Sequence, residues 1–393
     1  SQNKGRSAFM SRMGLYEQID AAVMGALTAI TGREPAFFRG AGGFDTVMTK
    51  DALHGDVSLN AALVIAPRLG LAPRALGADL AQALGKVEGI ASASLAGAGF
   101  VNLRLDQGLI AAALSEAALL PAARRGRLAI CLEAPEDIRQ CWSAEAAAAV
   151  ARALGLEAEI CAPVAASDAA KARLLPLIGA EAVYGAATEQ ELQGLVSTFS
   201  QIWEASETYE EVTLFAAIGG GFRAGLYEAA LGAGARLRCT ALAAADVPPL
   251  EREEAELARL YVLCHRAERV LDLGGREYAR PERANPAFLL HYAASRLSAL
   301  RGAAPVVTWD SATRRLALLL AAYGKMLLLA HQLAAPQRLA LYLCELAGLL
   351  LAAQKAAQDR GEKTICPKVI DACEVVFCSG FAIVGTKALE EIT

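Results

Sequence analysis

Three consecutive glycines form the stretch best suited, by residue type, to holding a charged ligand. Gly219, Gly220 and Gly221 follow an apolar segment, 212–217, that predicts a strand, and precede a segment, 224–231, that predicts a helix. Glycines at such a junction let backbone amides at the helix N-terminus approach a phosphate. The full GxGxxG pattern and the P-loop Lys-Ser/Thr are missing. Two interpretations therefore stay open, a tight turn and a weak nucleotide-binding loop.

Three glutamates near the middle of the chain raise the question of a carboxylate site. Glu207, Glu210 and Glu211 surround a threonine and a tyrosine, and this pattern is typical of a solvated helix end. No nucleophile-elbow motif supports a Ser/His/Asp or Cys/His triad. We therefore expect no catalytic residue in this part of the chain.

The nine cysteines do not form a zinc or disulfide framework. They contain no CxxC pair and lie mostly in apolar periodic segments, which indicates reduced, buried thiols in a cytoplasmic protein. Cys264 and His265 are neighbours on an apolar helix, and no further ligand follows at metal spacing. A packed pair, and no metal, is the prediction.

The net charge of −4 over 393 residues excludes a general positive field that would recruit nucleic acid. Any RNA contact must come from a local patch, and we expect no DNA partner. Two long apolar stretches, 316–335 and 339–354, are interrupted by Lys325 and Glu345. They predict buried bundle helices instead of membrane spans, so no membrane is expected.

The elements that must position these residues predict an α/β plus all-α chain. Residues 13–107 predict a small α+β domain, because helical periodicity is followed by a hairpin pattern around Gly97 and Gly99. The predicted helices are 15–30, 61–69 and 73–84, and the predicted strands are 90–95 and 100–105. Residues 1–12 are expected to be a disordered start or a cloning remnant.

Residues 108–250 predict a reduced Rossmann-like domain with a parallel sheet. Strand 128–133, helix 144–154 and strand 157–162 follow one another as a βαβ unit. The connecting loop, 134–143, is short.

Residues 251–393 predict an antiparallel helical bundle. Asn285 and Pro286 are typical of a helix entry, where Asn caps free amides and Pro forfeits a donor that would be unpaired anyway. Apolar positions of this first helix recur at helical spacing and are Phe288, Leu289, Tyr292 and Leu297. The further predicted helices are 311–324, 325–334, 337–358 and 368–380.

Several motifs resemble those of the arginyl-tRNA synthetases, a class I family. They are HGDVSLNAA (54–62), LAPRALGADLAQAL (71–84), AGAGFVNLRL (96–105) and NPAFLLHYAASR (285–296). The resemblance implies an N-terminal add-on domain that touches the tRNA elbow and a C-terminal anticodon-binding bundle of the DALR type. Phe100 and Asn102 match the elbow-contacting positions; the alternatives are a hairpin core residue and a turn stabiliser.

The resemblance also implies an RNA-binding patch on the bundle. Tyr292 and Arg296 match positions that embrace the anticodon loop, and Arg301, Lys363 and Lys368 would add phosphate contacts. The family's histidine in YAHAR is an alanine here. Solvating charges on an apolar bundle are the alternative interpretation.

The family's catalytic signatures, HIGH and KMSK, are absent. The chain has no histidine between His54 and His265 and no lysine between Lys171 and Lys325. Loop 134–143 instead carries two acidic residues that would repel a triphosphate, and the three glycines fall where the family has GADHxG. The resemblance therefore implies a shortened catalytic domain without its ATP-activating groups.

These observations favour a catalytically degenerate, cytoplasmic, synthetase-like adaptor that binds tRNA, arginine tRNA first among the candidates, and needs no cofactor. A protein partner would be a modifying enzyme or a synthetase. One alternative is an active arginine–tRNA ligase that uses ATP through an unrecognised site. The other is a structural subunit of a ribonucleoprotein or synthetase complex.

Overall fold

A computed structural model describes residues 14–39, 43–178, 189–217, 227–232, 236–301 and 309–386. Gly219, Gly220 and Gly221 lie outside these residues, so their predicted turn or nucleotide-binding loop stays a prediction.

The chain forms two compact units, each assembled from segments distant in sequence. Of the described residues, the first unit contains those within 1–121, 297–325 and 348–376, and the second contains those within 122–296, 326–347 and 377–393. The predicted domain boundaries at 107 and 250 stay predictions.

In the part of the chain that the structure describes, helices predominate, and two four-stranded sheets and one two-stranded sheet accompany them. The helices are α1 (Leu15–Thr31), α2 (Pro35–Arg39), α3 (Ala61–Leu69), α4 (Pro73–Leu84), α5 (Gln107–Ala112), α6 (Glu116–Leu119), α7 (Ile138–Ala153), α8 (Asp168–Ile178), α9 (Glu189–Thr208), α10 (Arg252–Leu263), α11 (Pro286–Leu300), α12 (Ser311–Leu320), α13 (Tyr323–Gln332), α14 (Gln337–Asp359) and α15 (Pro367–Val384). The strands are β1 (Thr46–Met48), β2 (Val57–Leu59), β3 (Ile90–Ala96), β4 (Phe100–Leu105), β5 (Arg127–Leu132), β6 (Glu157–Ile160), β7 (Glu211–Ala217), β8 (Leu237–Leu242), β9 (Ala245–Asp246) and β10 (Leu271–Asp272).

In the first unit, an antiparallel sheet of order β1-β2-β4-β3 carries the predicted hairpin. Alternate residues of β4, namely Val101, Leu103 and Leu105, are buried, because side chains of a strand point to opposite faces. The predictions of helices 15–30, 61–69 and 73–84 are confirmed, with one residue added to the first.

In the second unit, a parallel sheet of order β6-β5-β7-β8 is covered on both faces. Ala129, Cys131 and Leu214 belong to one buried cluster, whereas Ile130 and Phe215 belong to the other. Strands buried on both faces read as continuous apolar runs, which explains why 128–133 and 212–217 could be recognised from sequence.

Helix α7 begins six residues earlier than predicted, so most of the expected loop 134–143 is helical. The Asp137 side chain accepts hydrogen bonds from the backbone amides of Arg139 and Gln140 and caps the helix. This acidic residue therefore satisfies helix amides, a role that the prediction of a triphosphate-repelling loop did not include.

Two expectations about the bundle need correction. The buried residues of α11 include Ala287, Leu290 and Ala293, whereas the predicted apolar positions Phe288 and Tyr292 are half-buried on the flank. The division between the second and third predicted helices of the bundle, 311–324 and 325–334, lies at 321–322, between α12 and α13.

Within the described residues, α14 is the one helix long and apolar enough to cross a membrane by length and composition, and 44% of its most apolar window is buried. Its Leu343 and Leu346 are fully buried. This packing favours a bundle helix.

Candidate nucleic-acid interfaces

The outer face of the antiparallel sheet is open and carries both residues predicted from the first resemblance. Phe100 is 43% exposed, and Asn102 and Arg104 follow it on the same face at half-buried positions. The alternatives of a core phenylalanine and a turn asparagine are wrong, because Phe100 projects outwards and Asn102 lies within β4. RNA contact by either residue stays a prediction.

Strand register builds a polar row across this face. Asn102 lies opposite Ser58 on one side and Ser94 on the other, and Ser58 lies opposite Val47. The row therefore contains one amide, two hydroxyls and one apolar side chain. Amide and hydroxyl groups can read nucleotide edges or contact sugars and phosphates.

Two adjoining depressions cover the row. The larger has a volume of about 630 Å³ and is lined by Val47, Lys50, His54 and Phe100, among others. The smaller, of about 250 Å³, is lined by His54 and Arg104 together with both serines of β3. Its floor is polar while the larger groove is mostly apolar, and both share Asn102 and His54. The open face thus combines an aromatic ring with cationic and polar groups.

The His54-Gly55-Asp56 segment forms one edge of this face. Gly55 has φ +107°, and a Cβ there would lie 2.7 Å from the Leu103 carbonyl oxygen, so only glycine fits. His54 is exposed next to it, whereas Asp56 is 3% exposed and accepts a 2.7 Å hydrogen bond from the Leu105 amide. The glycine therefore turns the chain so that one neighbour is outside and the other inside.

The second candidate interface surrounds Tyr292 on α11. The Asn285 side chain accepts a hydrogen bond from the Ala287 amide at 3.0 Å, and its own amide nitrogen donates to the carbonyls of Tyr278 and Arg280. The predicted helix cap is thus confirmed. The cap fixes the first residue of the helix, and Tyr292 lies two turns beyond it.

Two guanidinium groups lie close to the ring of Tyr292. Arg283 and Arg296 are 5.2 and 5.5 Å from the centre of its ring, and Arg283 also reaches the hydroxyl at 3.5 Å. Phe288 stacks on the ring with centroids 5.8 Å apart. Arg283, which has the larger effect, and Arg296 lower the pKa of Tyr292, because both stabilise the phenolate. This cluster offers an aromatic face flanked by cations.

The other cations predicted for the bundle patch differ from Arg296. Arg301 forms an ion pair with Glu374, so its charge is partly neutralised, and its predicted contact with a phosphate stays a prediction. Lys363 and Lys368 are exposed. These three residues belong to the first compact unit, whereas Tyr292 and Arg296 belong to the second; a joint patch stays a prediction.

The parallel sheet is where a class I active site would be expected. Ligands of such sheets bind beside the carboxyl ends of the strands at the point where strand order reverses, here between β5 and β7. Glu133, directly after β5, accepts a 2.9 Å hydrogen bond from the Ala217 amide at the end of β7. A carboxylate therefore lies at the edge of the sheet where parallel sheets bind their ligands.

The one basic residue between positions 133 and 143 is unavailable to a ligand. Arg139 is 2% exposed, and its guanidinium donates to the carbonyls of Ala243, Arg269 and Arg266 at 2.6–2.8 Å. Burial lowers the pKa of this guanidinium. Arg139 thus fastens the start of α7 to the chain after β8.

Glu211 and the Cys-His neighbours considered from the sequence have partners within the protein. Glu211 binds Arg238 and His331, so the prediction of a solvated helix end is wrong for this residue, which begins β7. Cys264 is 4% exposed and contacts Cys344, while His265 lies against the Tyr261 ring and contacts the Tyr261 carbonyl, so both residues are packed as predicted. Across the described ranges, no three His, Cys, Asp or Glu side chains are grouped as a metal site requires.

Comparisons with known proteins agree with this architecture. Residues 18–105 match the Arginyl tRNA synthetase N terminal domain. The arginine–tRNA ligase of Paracoccus denitrificans is 40% identical over 115 residues, which is 26% of this chain and 19% of that protein. That of Chelativorans sp. is 51% identical over 71 residues, 18% and 12% of the two chains. These alignments span less than a fifth of the curated relatives' length.

Solved structures extend the likeness in fold. The arginyl-tRNA synthetase of Thermus thermophilus superimposes with a TM-score of 0.67 over 96% of this chain and 100% of that one, at 13% identity. The Plasmodium falciparum enzyme gives 0.66 over 97% and 99%, at 9% identity. The N-terminal part of the chain is similar in sequence to arginine–tRNA ligases, and nearly the whole chain is similar in fold to arginyl-tRNA synthetases. The sequence matches the N-terminal domain closely, and the remainder shares the fold.

Sequence reasoning missed several residues of the synthetase-like chain that border its two candidate interfaces. Lys50, His54 and Arg104 line the sheet face, and Arg283 flanks Tyr292. The alternation of β4 could have indicated Arg104, because it is two positions beyond Asn102. Arg283 precedes the helix and falls outside any periodic pattern.

Proposed function

We propose that this synthetase-like protein binds tRNA, with arginine tRNA as the first candidate, as a non-catalytic adaptor in the cytoplasm. The observation that carries the proposal is the open sheet face, where exposed Phe100 stands beside Asn102 and the lining cations Lys50 and Arg104. Aromatic rings stack on unpaired bases, and nearby cations attract phosphates.

The chemistry of the parallel sheet supports the non-catalytic part of the proposal. Adenylate formation develops negative charge that an enzyme stabilises with preorganised cations or donors. At the switch point this chain presents Glu133, and Arg139 is bound by backbone carbonyls. Neither group can neutralise the phosphates of ATP.

The adaptor proposal is tested by fluorescence anisotropy with labelled arginine tRNA over a series of salt concentrations. We expect saturable binding, with log Kd depending linearly on log salt because Lys and Arg contacts release counterions. An unrelated RNA hairpin of equal length serves as the control. Failure to bind arginine tRNA more tightly than the hairpin at low salt contradicts the proposal.

A second candidate function is arginine–tRNA ligation, favoured by the sequence similarity to the arginine–tRNA ligases of Chelativorans sp. and Paracoccus denitrificans. This function predicts AMP formation that requires arginine, ATP and tRNA together. Binding without AMP formation favours the adaptor, whereas binding with AMP formation favours the ligase.

A further inference from the structure

Two cysteines of the second compact unit bring their sulfur atoms together. The Sγ atoms of Cys264 and Cys344 are 3.4 Å apart, with the Cys344 thiol donating to Cys264. Both residues are free cysteines. Cys264 is 4% exposed, whereas Cys344 is half-buried. The contact joins residues 80 positions apart in the sequence.

The backbones on both sides of the contact are held by helical hydrogen bonds. Cys264 terminates α10, and its amide donates to the Leu260 carbonyl at 3.0 Å. Cys344 lies inside α14. A disulfide has a sulfur–sulfur distance of about 2.05 Å, so the two sulfurs need to approach by little more than 1 Å, roughly the reach of a side-chain rotation.

We propose that Cys264 and Cys344 form a reversible disulfide that fastens α10 to α14 when the protein meets a peroxide. In the first step the Cys344 sulfur attacks one peroxide oxygen, the O–O bond breaks, and the thiol proton goes to the departing hydroxide, so that Cys344 sulfenic acid and one water form. In the second step the Cys264 sulfur attacks the sulfenic sulfur, the S–O bond breaks, and the disulfide and a second water form. Two thiols are oxidised and one peroxide is reduced.

The environments of the two cysteines determine which of them reacts first with the peroxide. The adjoining Cys344 sulfur, and then burial, raise the pKa of Cys264, so this sulfur stays protonated in neutral solution. The half-buried Cys344 is the sulfur that a small oxidant reaches first. Because the partner is already in contact, the second step is intramolecular and outruns further oxidation of Cys344.

Cys131 and Cys161, in the described part of the second unit, shift one another's pKa, and they are the competing site. Cys131 lies in β5, and Cys161 directly follows β6, where its amide donates to the Ile130 carbonyl at 2.8 Å. Peptide mapping separates the two possibilities, because each disulfide links different fragments.

The test treats the full chain with hydrogen peroxide, blocks remaining thiols and maps cross-linked peptides by mass spectrometry. We expect a Cys264–Cys344 peptide lighter by two hydrogen atoms, and a melting temperature raised by roughly 5 °C that dithiothreitol reverses. The variants Cys344→Ala and Cys264→Ala should abolish both effects. Cys378→Ala, which removes an exposed thiol, should change neither.

Two outcomes overturn the proposal. One is a cross-link confined to Cys131 and Cys161, and the other is oxidation of Cys344 to sulfinic acid without a cross-link. Cys344→Ala removes only a half-buried side chain, so it keeps the experiment decisive if Cys264→Ala fails to fold. The readout requires no RNA and is independent of the proposed function.

Discussion

Asp56 and Arg314 form a two-point ion pair in which Nε and Nη2 of the arginine each lie 2.7 Å from a different carboxylate oxygen. Asp56 also accepts a hydrogen bond from the backbone amide of Leu105. The acidic residue of the HGD motif therefore holds helix α12 against the sheet of the first unit, and the exposed histidine of the same motif is left beside the open face.

Replacing Asp56 by Ala should reduce the free energy of unfolding by about 3–5 kcal/mol, because Arg314 would keep a largely buried charge without its partner. Asp45→Ala is the matched control, since Asp45 pairs with Lys325 but is 59% exposed; its loss should cost about 1 kcal/mol or less. Urea unfolding measures both. Equal losses in the two variants would show that the buried pair has no special role.

Replacing Phe100 by Ala should weaken tRNA binding by roughly 5- to 100-fold, the range expected from losing one base-stacking contact. Leu71→Ala removes a comparably exposed apolar side chain, 46% against 43% exposed, that does not line the groove. Anisotropy titrations at fixed salt compare the two. If both variants bind like the parent chain, the open face is not the interface.

Replacing Arg283 by Gln should weaken tRNA binding and reduce the slope of log Kd against log salt by about 1, as expected for the loss of one phosphate contact. The exposed Arg280 provides the control variant, Arg280→Gln, with the same change of charge. An identical change of slope in both variants would assign the effect to net charge and not to the cluster around Tyr292.

Acidification should destabilise the second unit through His291. Burial lowers its pKa from 6.5 to about 4, so the unfolded chain binds this proton more readily than the folded chain. Stability is therefore full above pH 6.5 and falls as pH drops towards 4, by about 3 kcal/mol in total.

The variant His291→Phe keeps a ring against Phe381, on which His291 stacks at 5.5 Å, and should flatten this pH dependence. Urea unfolding between pH 7 and pH 4, taken in roughly half-unit steps, provides the measurement. Exposed His54 supplies the control, His54→Phe. A slope unchanged by His291→Phe would mean that another group governs the acid response.

Much of the fold could be predicted from local sequence patterns. The hairpin containing Phe100 followed from strict alternation around glycines, and the start of α11 followed from Asn285, whose side chain caps the helix as expected. Such features depend on neighbouring residues only, so the sequence contains all the necessary information.

Partnerships across long sequence separations could not be predicted. Arg301 forms an ion pair with Glu374, and Arg139 donates hydrogen bonds to backbone carbonyls that are more than a hundred positions away in the sequence. Asp137 was predicted to be an acidic residue of a loop, because its role as a helix cap can be seen only once the first residue of the helix is known. Charge alone indicates neither burial nor partner, and tertiary packing determines both.

The most direct test of the central claim measures tRNA binding and AMP formation in one sample containing the protein, arginine tRNA, arginine and ATP–Mg²⁺. We predict saturable tRNA binding that weakens steeply with salt, and an AMP yield equal to that of a sample without protein. Sustained AMP release that requires both arginine and tRNA would contradict the account.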